Sequence, residues 1–250
     1  MRKLRFYILA TILLAATACA EEQSKPTSET LPEFKTFEFV NESESYSITI
    51  SYDQITNSSN NEAFMLIDSM NYLHTFGEFA LDEPDPQRSS ELMAANFLED
   101  MYFLDTSYIE SSYCEMHLYQ VASLVRNNSV VCYDTVLETN LGGIHPMVNH
   151  TYECYDLASG NIYDFSYLAD GQWSNALGAI IYTKLKSEYG DAVKVSPTTL
   201  SHLPEAIYLT DKGIALQYQS YEIGDASLGS ASIEITDKEL REIGAPIVWE

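Results

Sequence analysis

Apolar and polar positions first alternate in two short runs, Phe34 to Val40 and Tyr46 to Tyr52. Tyr46, Ile48, Ile50 and Tyr52 share one face, which is the period of a half-buried strand. Asn41-Glu42-Ser43-Glu44 supplies a turn, so the pattern predicts a β-hairpin. The period then lengthens. Ala63, Phe64, Ile67, Met70, Leu73 and His74 recur at helical spacing, after an Asn/Ser-rich loop and before a terminating Gly77. A second helix is expected from about Ser89 to Leu104. From Tyr113 the short period returns. Strands are expected up to Leu124, from Val130 to Glu138 and from Met147 to Leu157, joined by an Arg126-Asn127-Asn128-Ser129 turn and a loop centred on Gly143. This is a three-stranded antiparallel meander, the expected centre of the sheet.

Beyond Gly160, Trp173, Leu177, Ile180, Ile181 and Leu185 form the cleanest amphipathic stripe in the chain. Asp170 is the expected N-cap and Tyr189-Gly190 the end. Ala206 to Leu209, Ile214 to Gln219 and Ser232 to Ile235 read as the last strands, with a tight turn at Asp211-Lys212-Gly213. Asp237 is expected to cap a short helix, Lys238 to Ile243. The fold class is α+β: antiparallel sheets with amphipathic helices packed on one face.

The chain opens differently. Arg2, Lys3 and Arg5 precede an apolar run, Phe6 to Ala16, of signal-peptide length and too short for a bilayer span. Ala16-Thr17-Ala18-Cys19 resembles the lipobox of bacterial lipoproteins, with Ala16 where Leu is commonest. That resemblance implies cleavage after residue 18, acylation (palmitate) of Cys19, and a place on the cell envelope, at the outer membrane, facing extracytoplasmic space. Residues 19–33 are polar and read as a flexible tether.

The formal charge is −24, and −27 once the signal takes three basic residues and no acidic one with it. Such acidity argues against nucleic acid and anionic lipid headgroups as partners and favours a basic partner at long range. The membrane is expected to be met through the lipid anchor alone. Hydrophobic residues at 46%, with 18 tyrosines, exclude a disordered acidic tail.

Three cysteines remain after Cys19. With Asn127-Asn128 at the first turn, Ser123 faces Cys132 and Cys114 lies ~30 Å further along its strand, beyond disulfide reach. With Gly143 at the second turn, Cys132 faces Cys154. In an oxidising compartment this predicts a Cys132–Cys154 disulfide and a lone buried Cys114. The histidines match no zinc spacing, and the chain contains no nucleophile elbow, phosphate loop or dinucleotide fingerprint. No metal, cofactor or catalytic residue is expected.

The second half carries an ordered set of motifs. They are Gly142-Gly143-Ile144-His145, then Tyr155-Asp156-Leu157-Ala158-Ser159-Gly160, then Phe165-Ser166-Tyr167-Leu168. Tyr208-Leu209-Thr210-Asp211-Lys212-Gly213-Ile214 follows and runs on to Tyr218, Tyr221-Glu222-Ile223-Gly224. Together they resemble the RsiV/PdaC C-terminal domain family (domain of unknown function 3298), over about Val130 to Gly244. The segment before it, residues 34–129, is similar in layout to a domain of unknown function 4163. The resemblance implies an extracytoplasmic α/β unit without settled chemistry, found in an anti-sigma factor whose outer part binds lysozyme and beside a peptidoglycan deacetylase. The sequence shows neither a deacetylase domain nor a sigma-binding segment, so neither activity is expected here. The expectation is a non-catalytic, lipid-anchored envelope protein binding lysozyme-like protein or peptidoglycan-related glycan, with Gly142, Gly143, His145, Tyr218, Tyr221 and Glu222 as candidate contacts. A cell-envelope hydrolase using His145 with Glu222 or Asp156, or a structural envelope component, are the alternatives.

Overall fold

The computed structural model describes residues 31–80, 84–103, 113–142, 146–201 and 203–249. The expected signal peptide, Cys19 and most of the tether lie outside the described residues, as do Gly143 and His145.

The alternating runs form β1 (Phe34–Glu42) and β2 (Tyr46–Ile55), an antiparallel hairpin. The two helical stretches are α1 (Glu62–Phe76) and α2 (Pro86–Phe103). Asn61 caps α1 by accepting the Phe64 amide at 3.2 Å, and Gly77 ends it at φ 52, a conformation glycine adopts freely. The meander follows as β3 (Cys114–Val125), β4 (Val130–Asn140) and β5 (Met147–Asp156). Both expected registers hold: Ser123 lies opposite Cys132, and Cys132 opposite Cys154.

The strands join in one five-stranded sheet in the order β1-β2-β3-β4-β5. The expectation of purely antiparallel pairing needs correction here. β2 and β3 run parallel, from Tyr46 beside Cys114 to Ser51 beside Tyr119. Parallel neighbours need a long crossover, and the chain carrying α1 and α2 provides it. Past Ser51 the ladder ends, and the Asp53 carboxylate accepts the Ala122 amide at 2.9 Å. The division expected between residues 129 and 130 falls inside the β3–β4 hairpin, so a single sheet draws strands from both segments, and Pro32–Glu250 forms one compact unit.

One sheet face packs on α1 and α2. Ile48, Ile50, Tyr52, Met116 and Leu118 meet Tyr72, Phe76 and Ala94, while Val131, Tyr133 and Tyr155 meet Ala63, Phe64 and Ile67. Near the Val130 end, the other face meets a second body of structure. Its three-stranded sheet is β6 (Ala206–Leu209), β7 (Gly213–Tyr218) and β8 (Ala231–Thr236), in that order. Between the two sheets in sequence come α3 (Tyr167–Asp170) and α4 (Ser174–Tyr189), and α5 (Asp237–Glu242) closes the chain.

Leu177, Ile181 and Leu185 of α4 are buried with Ile214, Leu216, Ile233 and Ile235, as the stripe predicts. Each such side chain contributes ~1.5–3 kcal/mol. Two caps differ from expectation. Asp170 ends α3, and Trp173, whose indole donates to the Leu168 carbonyl at 3.1 Å, occupies the cap position of α4. For α5 the cap is Thr236, in a reciprocal capping box with Glu239. Among the described residues, no helix is long and apolar enough to cross a membrane.

A disulfide joins Cys132 and Cys154 across β4 and β5 with a Cα separation of 4.1 Å, and Cys114 is a free buried thiol. The Leu209 amide donates to Cys154 Sγ at 3.3 Å, so β6 lies directly on the bridge. Arg126, at the β3–β4 turn, makes the other tie to the second sheet. Its guanidinium holds both carboxylate oxygens of Asp237 (one at 2.9 Å), donates to the Gly213 carbonyl at 2.8 Å, and lies 5.6 Å from the Trp249 ring.

Candidate functional site

β5 is an edge strand, and its period of two sorts its side chains. Asn149, Thr151 and Glu153 face the helices, while His150 and Tyr152 face away, where His150 stacks on Tyr152 and Tyr152 on Tyr208. The chain after β7 folds back onto this edge. The Gln219 side-chain amide donates to the His150 carbonyl at 2.7 Å, and its oxygen accepts the His150 amide at 3.2 Å. One side-chain amide thus pairs with a strand as a neighbouring backbone would.

That docking forms a groove of about 590 Å³ lined by His74, His150, Glu153, Glu205, Gln219 and Glu222, among others. A second cavity of about 380 Å³ lies on the helix side, walled by Phe79, Met93, Phe97, Met116, Leu118 and Leu137. His74, Asn149 and Thr151 line both. The groove is mixed in polarity and carries three glutamates, and the chamber is largely apolar.

At their junction stands an ordered set of polar contacts. His74 Nδ1 is 2.9 Å from Glu153 Oε1, with the two side chains 24% and 15% exposed, and His74 Nε2 is 3.1 Å from Thr151 Oγ1. The Tyr155 hydroxyl donates to the second oxygen of Glu153. Beneath, the Gln120 amide donates to Thr75 at 2.8 Å and to Thr135 at 3.0 Å. Thr135 lies directly opposite Thr151 on the neighbouring strand.

The expected site residues separate. Glu222 lines the groove, and its carboxylate turns back to accept the Gln219 amide at 2.8 Å. Although the residue is exposed overall, partial burial of that carboxyl raises it above the usual range and the Glu205 charge adds to the shift, against the Gln219 bond. Tyr221 is 73% exposed at φ 71, a left-handed conformation rare for a bulky residue. Tyr218, by contrast, is 1% exposed within the core, so it is a packing residue and presents no surface to a ligand. Gly142 sits just past β4 at φ 82, its amide donating to Asn140 Oδ1 at 3.1 Å. Gly143 and His145 lie outside the described residues. Asp156 makes local turn bonds to Ala158 and Ser159 and does not line the groove.

Sequence reasoning left His74 as a scattered histidine and gave no role to Thr151, Glu153 or Glu205. The Thr151-x-Glu153 spacing on an edge strand was the available signal. The partner 77 positions away was not. Among the described residues, no group of three or more His, Cys, Asp and Glu side chains is placed to hold a metal ion.

No family model and no curated protein matches this sequence. Solved structures do match. One is a DUF3298 family member from Bacteroides fragilis, at TM-score 0.65 and 16% identity, covering 84% of this chain and 93% of that one. Another is a DUF3298 family protein from Pseudomonas aeruginosa, at TM-score 0.58 and 14% identity, covering 85% and 94%. The fold is that of the DUF3298 proteins. At 84% and 85% of this chain and 93% and 94% of those chains, the likeness takes in more than the half that carries the motifs.

Proposed function

We propose that this DUF3298-fold protein is a binding protein of the bacterial cell envelope, held by a lipid on Cys19, that captures a basic, lysozyme-like protein at the acidic groove beside β5. The observation that carries the reading is the convergence of Glu153, Glu205 and Glu222 on one groove, with the exposed Tyr221 next in sequence to Glu222. A cationic side chain entering there would meet several carboxylates at once, while Tyr221 offers a large surface at small entropic cost. The formal charge of −24, or −27 once the three basic residues of the signal are gone, would steer a basic partner to the groove from a distance.

Titration calorimetry against lysozyme at low ionic strength tests the reading. Binding should weaken with added salt, and by about 10-fold or more in the Tyr221→Ala and Glu205→Gln/Glu222→Gln variants. Absence of heat with lysozyme at low salt would count against it, and heat with soluble muropeptides instead would move the assignment to glycan. The anchor is tested separately, by fractionation of cells expressing Cys19→Ala, which should release the protein from membranes.

A further inference from the structure

The groove and the chamber meet at His74, Asn149 and Thr151, with Glu153 on the groove side, and that junction is more than a set of polar contacts. A carboxylate can only accept, so in the neutral imidazole Glu153 fixes the His74 proton on Nδ1, and Nε2 then presents its lone pair to the Thr151 hydroxyl at 3.1 Å. Tyr155 occupies the other oxygen of Glu153 and holds the carboxylate in place. The result is a carboxylate–imidazole–hydroxyl relay, the arrangement that activates an alcohol as a nucleophile. We propose that this relay hydrolyses an acyl ester, with a short apolar acyl group in the chamber walled by Phe79 and Phe97 and a polar alcohol in the acidic groove.

The two cavities define that substrate class. The chamber of about 380 Å³ is largely apolar and the groove of about 590 Å³ is the more polar of the two, so an ester joining unlike halves would set its carbonyl at their junction. Thr151 Oγ1 would attack that carbonyl carbon as its proton passes to His74 Nε2. Two groups stand ready for the oxyanion. Asn149, two residues along the same strand face, lines both cavities. Thr135, opposite Thr151, accepts from Gln120 and keeps its own proton to donate. Collapse breaks the ester C–O bond, and the departing alkoxide takes the proton from His74. Water then attacks the acyl-threonine, giving one proton to His74. The acid leaves and Thr151 recovers its proton from His74. Every atom is supplied by ester and water. Thr151 and His74 are the catalytic residues in this scheme, and Glu153 is a positioning residue.

The relay shares the groove wall with the proposed lysozyme contact, but Tyr221 takes no part in it, so the Tyr221→Ala variant separates loss of lysozyme binding from loss of hydrolysis. The test uses the full chain with p-nitrophenyl acetate, butyrate and decanoate, and a fluorophosphonate probe followed by peptide mass analysis. Butyrate should be hydrolysed fastest, and the probe should add to the peptide bearing Thr151. Thr151→Val keeps the branched shape a strand favours, and His74→Gln keeps a polar contact. Each should lower kcat/KM by about 100-fold or more without changing the melting temperature of Thr151→Val, while Thr151→Ser retains activity. Glu153→Gln should move the pH profile of kcat/KM, which loss of a merely structural contact would not do. Hydrolysis no faster than buffer by the unaltered protein, or equal rates and labelling in Thr151→Val, would overturn the proposal.

Discussion

Arg126 gives a sharp test of how the two sheets are joined. Its guanidinium and the Asp237 carboxylate are 12% and 14% exposed, and they are tied by two hydrogen bonds, with further bonds to the Gly213 carbonyl and contact with Trp249. Arg126→Met removes the charge and keeps an apolar stem against the Trp249 ring. The left-handed φ of 57 is imposed on either residue alike, so the backbone contribution cancels. Breaking one side of a buried ion pair costs about 3–5 kcal/mol, because the remaining charge stays desolvated. Asp237 keeps two supports, the Trp249 indole at 3.1 Å and the N-terminus of α5, which place the expected loss near the lower end, about 3 kcal/mol. For a domain of this size that is roughly 6–12 °C in Tm. Urea unfolding at pH 7 measures the loss directly, and a cycle with Asp237→Asn should return a coupling of at least about 1.5 kcal/mol. A loss below about 1 kcal/mol, or additive single variants, would refute the reasoning and show that desolvation offsets the attraction.

Acid provides a second view of the same pair. Burial works against the Asp237 carboxylate, but bonds from Arg126 and Trp249 outweigh it and hold the group below its usual range. Its contribution should be complete above the unfolded value of about 3.9 and fade as pH falls through the lower folded value, so urea midpoints from pH 7 to 3 should decline less steeply in Arg126→Met. Removing the Cys132–Cys154 bridge, with a sequence separation of 22, should cost ~3 kcal/mol in guanidinium unfolding, with the same deficit in the reduced wild type and the double Ala variant. A Cβ at Gly213 would lie 1.9 Å from the Ile235 carbonyl, whereas one at Gly190 meets nothing within 4 Å. Gly213→Ala should therefore lose more than about 3 kcal/mol by thermal denaturation, and Gly190→Ala only the ~1–3 kcal/mol of its positive-φ backbone.

Much of the fold could be read from local chemistry. Register is a local quantity in a hairpin, because the turn fixes it. Placing the turns at Asn127-Asn128 and at Gly143 was enough to set Cys132 against Cys154. The parallel seam between β2 and β3 was not readable in the same way. Both strands alternate as any half-buried strand does, and nothing in the alternation records which neighbour lies across a long crossover. The caps at Thr236 and Trp173 were missed for a related reason. Asp237 and Asp170 have the stronger local preference, but Asp237 is claimed by Arg126 and Asp170 by the preceding short helix. At the candidate site, Glu222 and Tyr221 stand in a motif that drew notice to them, and the fold puts Glu222 on the groove lining and Tyr221 on the surface. Tyr218 shares that motif and points into the core instead. His74 became meaningful only when α1 set it over β5.

The docking of Gln219 on His150 has a consequence for how many chains can share one space. An edge strand with free amides and carbonyls is a template on which a second molecule can add a strand. Along β5, the stretch near Cys154 and Asp156 is already occupied by residues 161–163, through the Asn161 carbonyl and the Tyr163 amide. Gln219 occupies a further position, at His150, with a side chain, and it does so without lengthening the sheet. Replacing it by Ala would expose that position beside Val148 and Met147, which are 37% and 63% exposed. Crowded copies would then have an edge on which to pair, and assemblies joined strand to strand would follow.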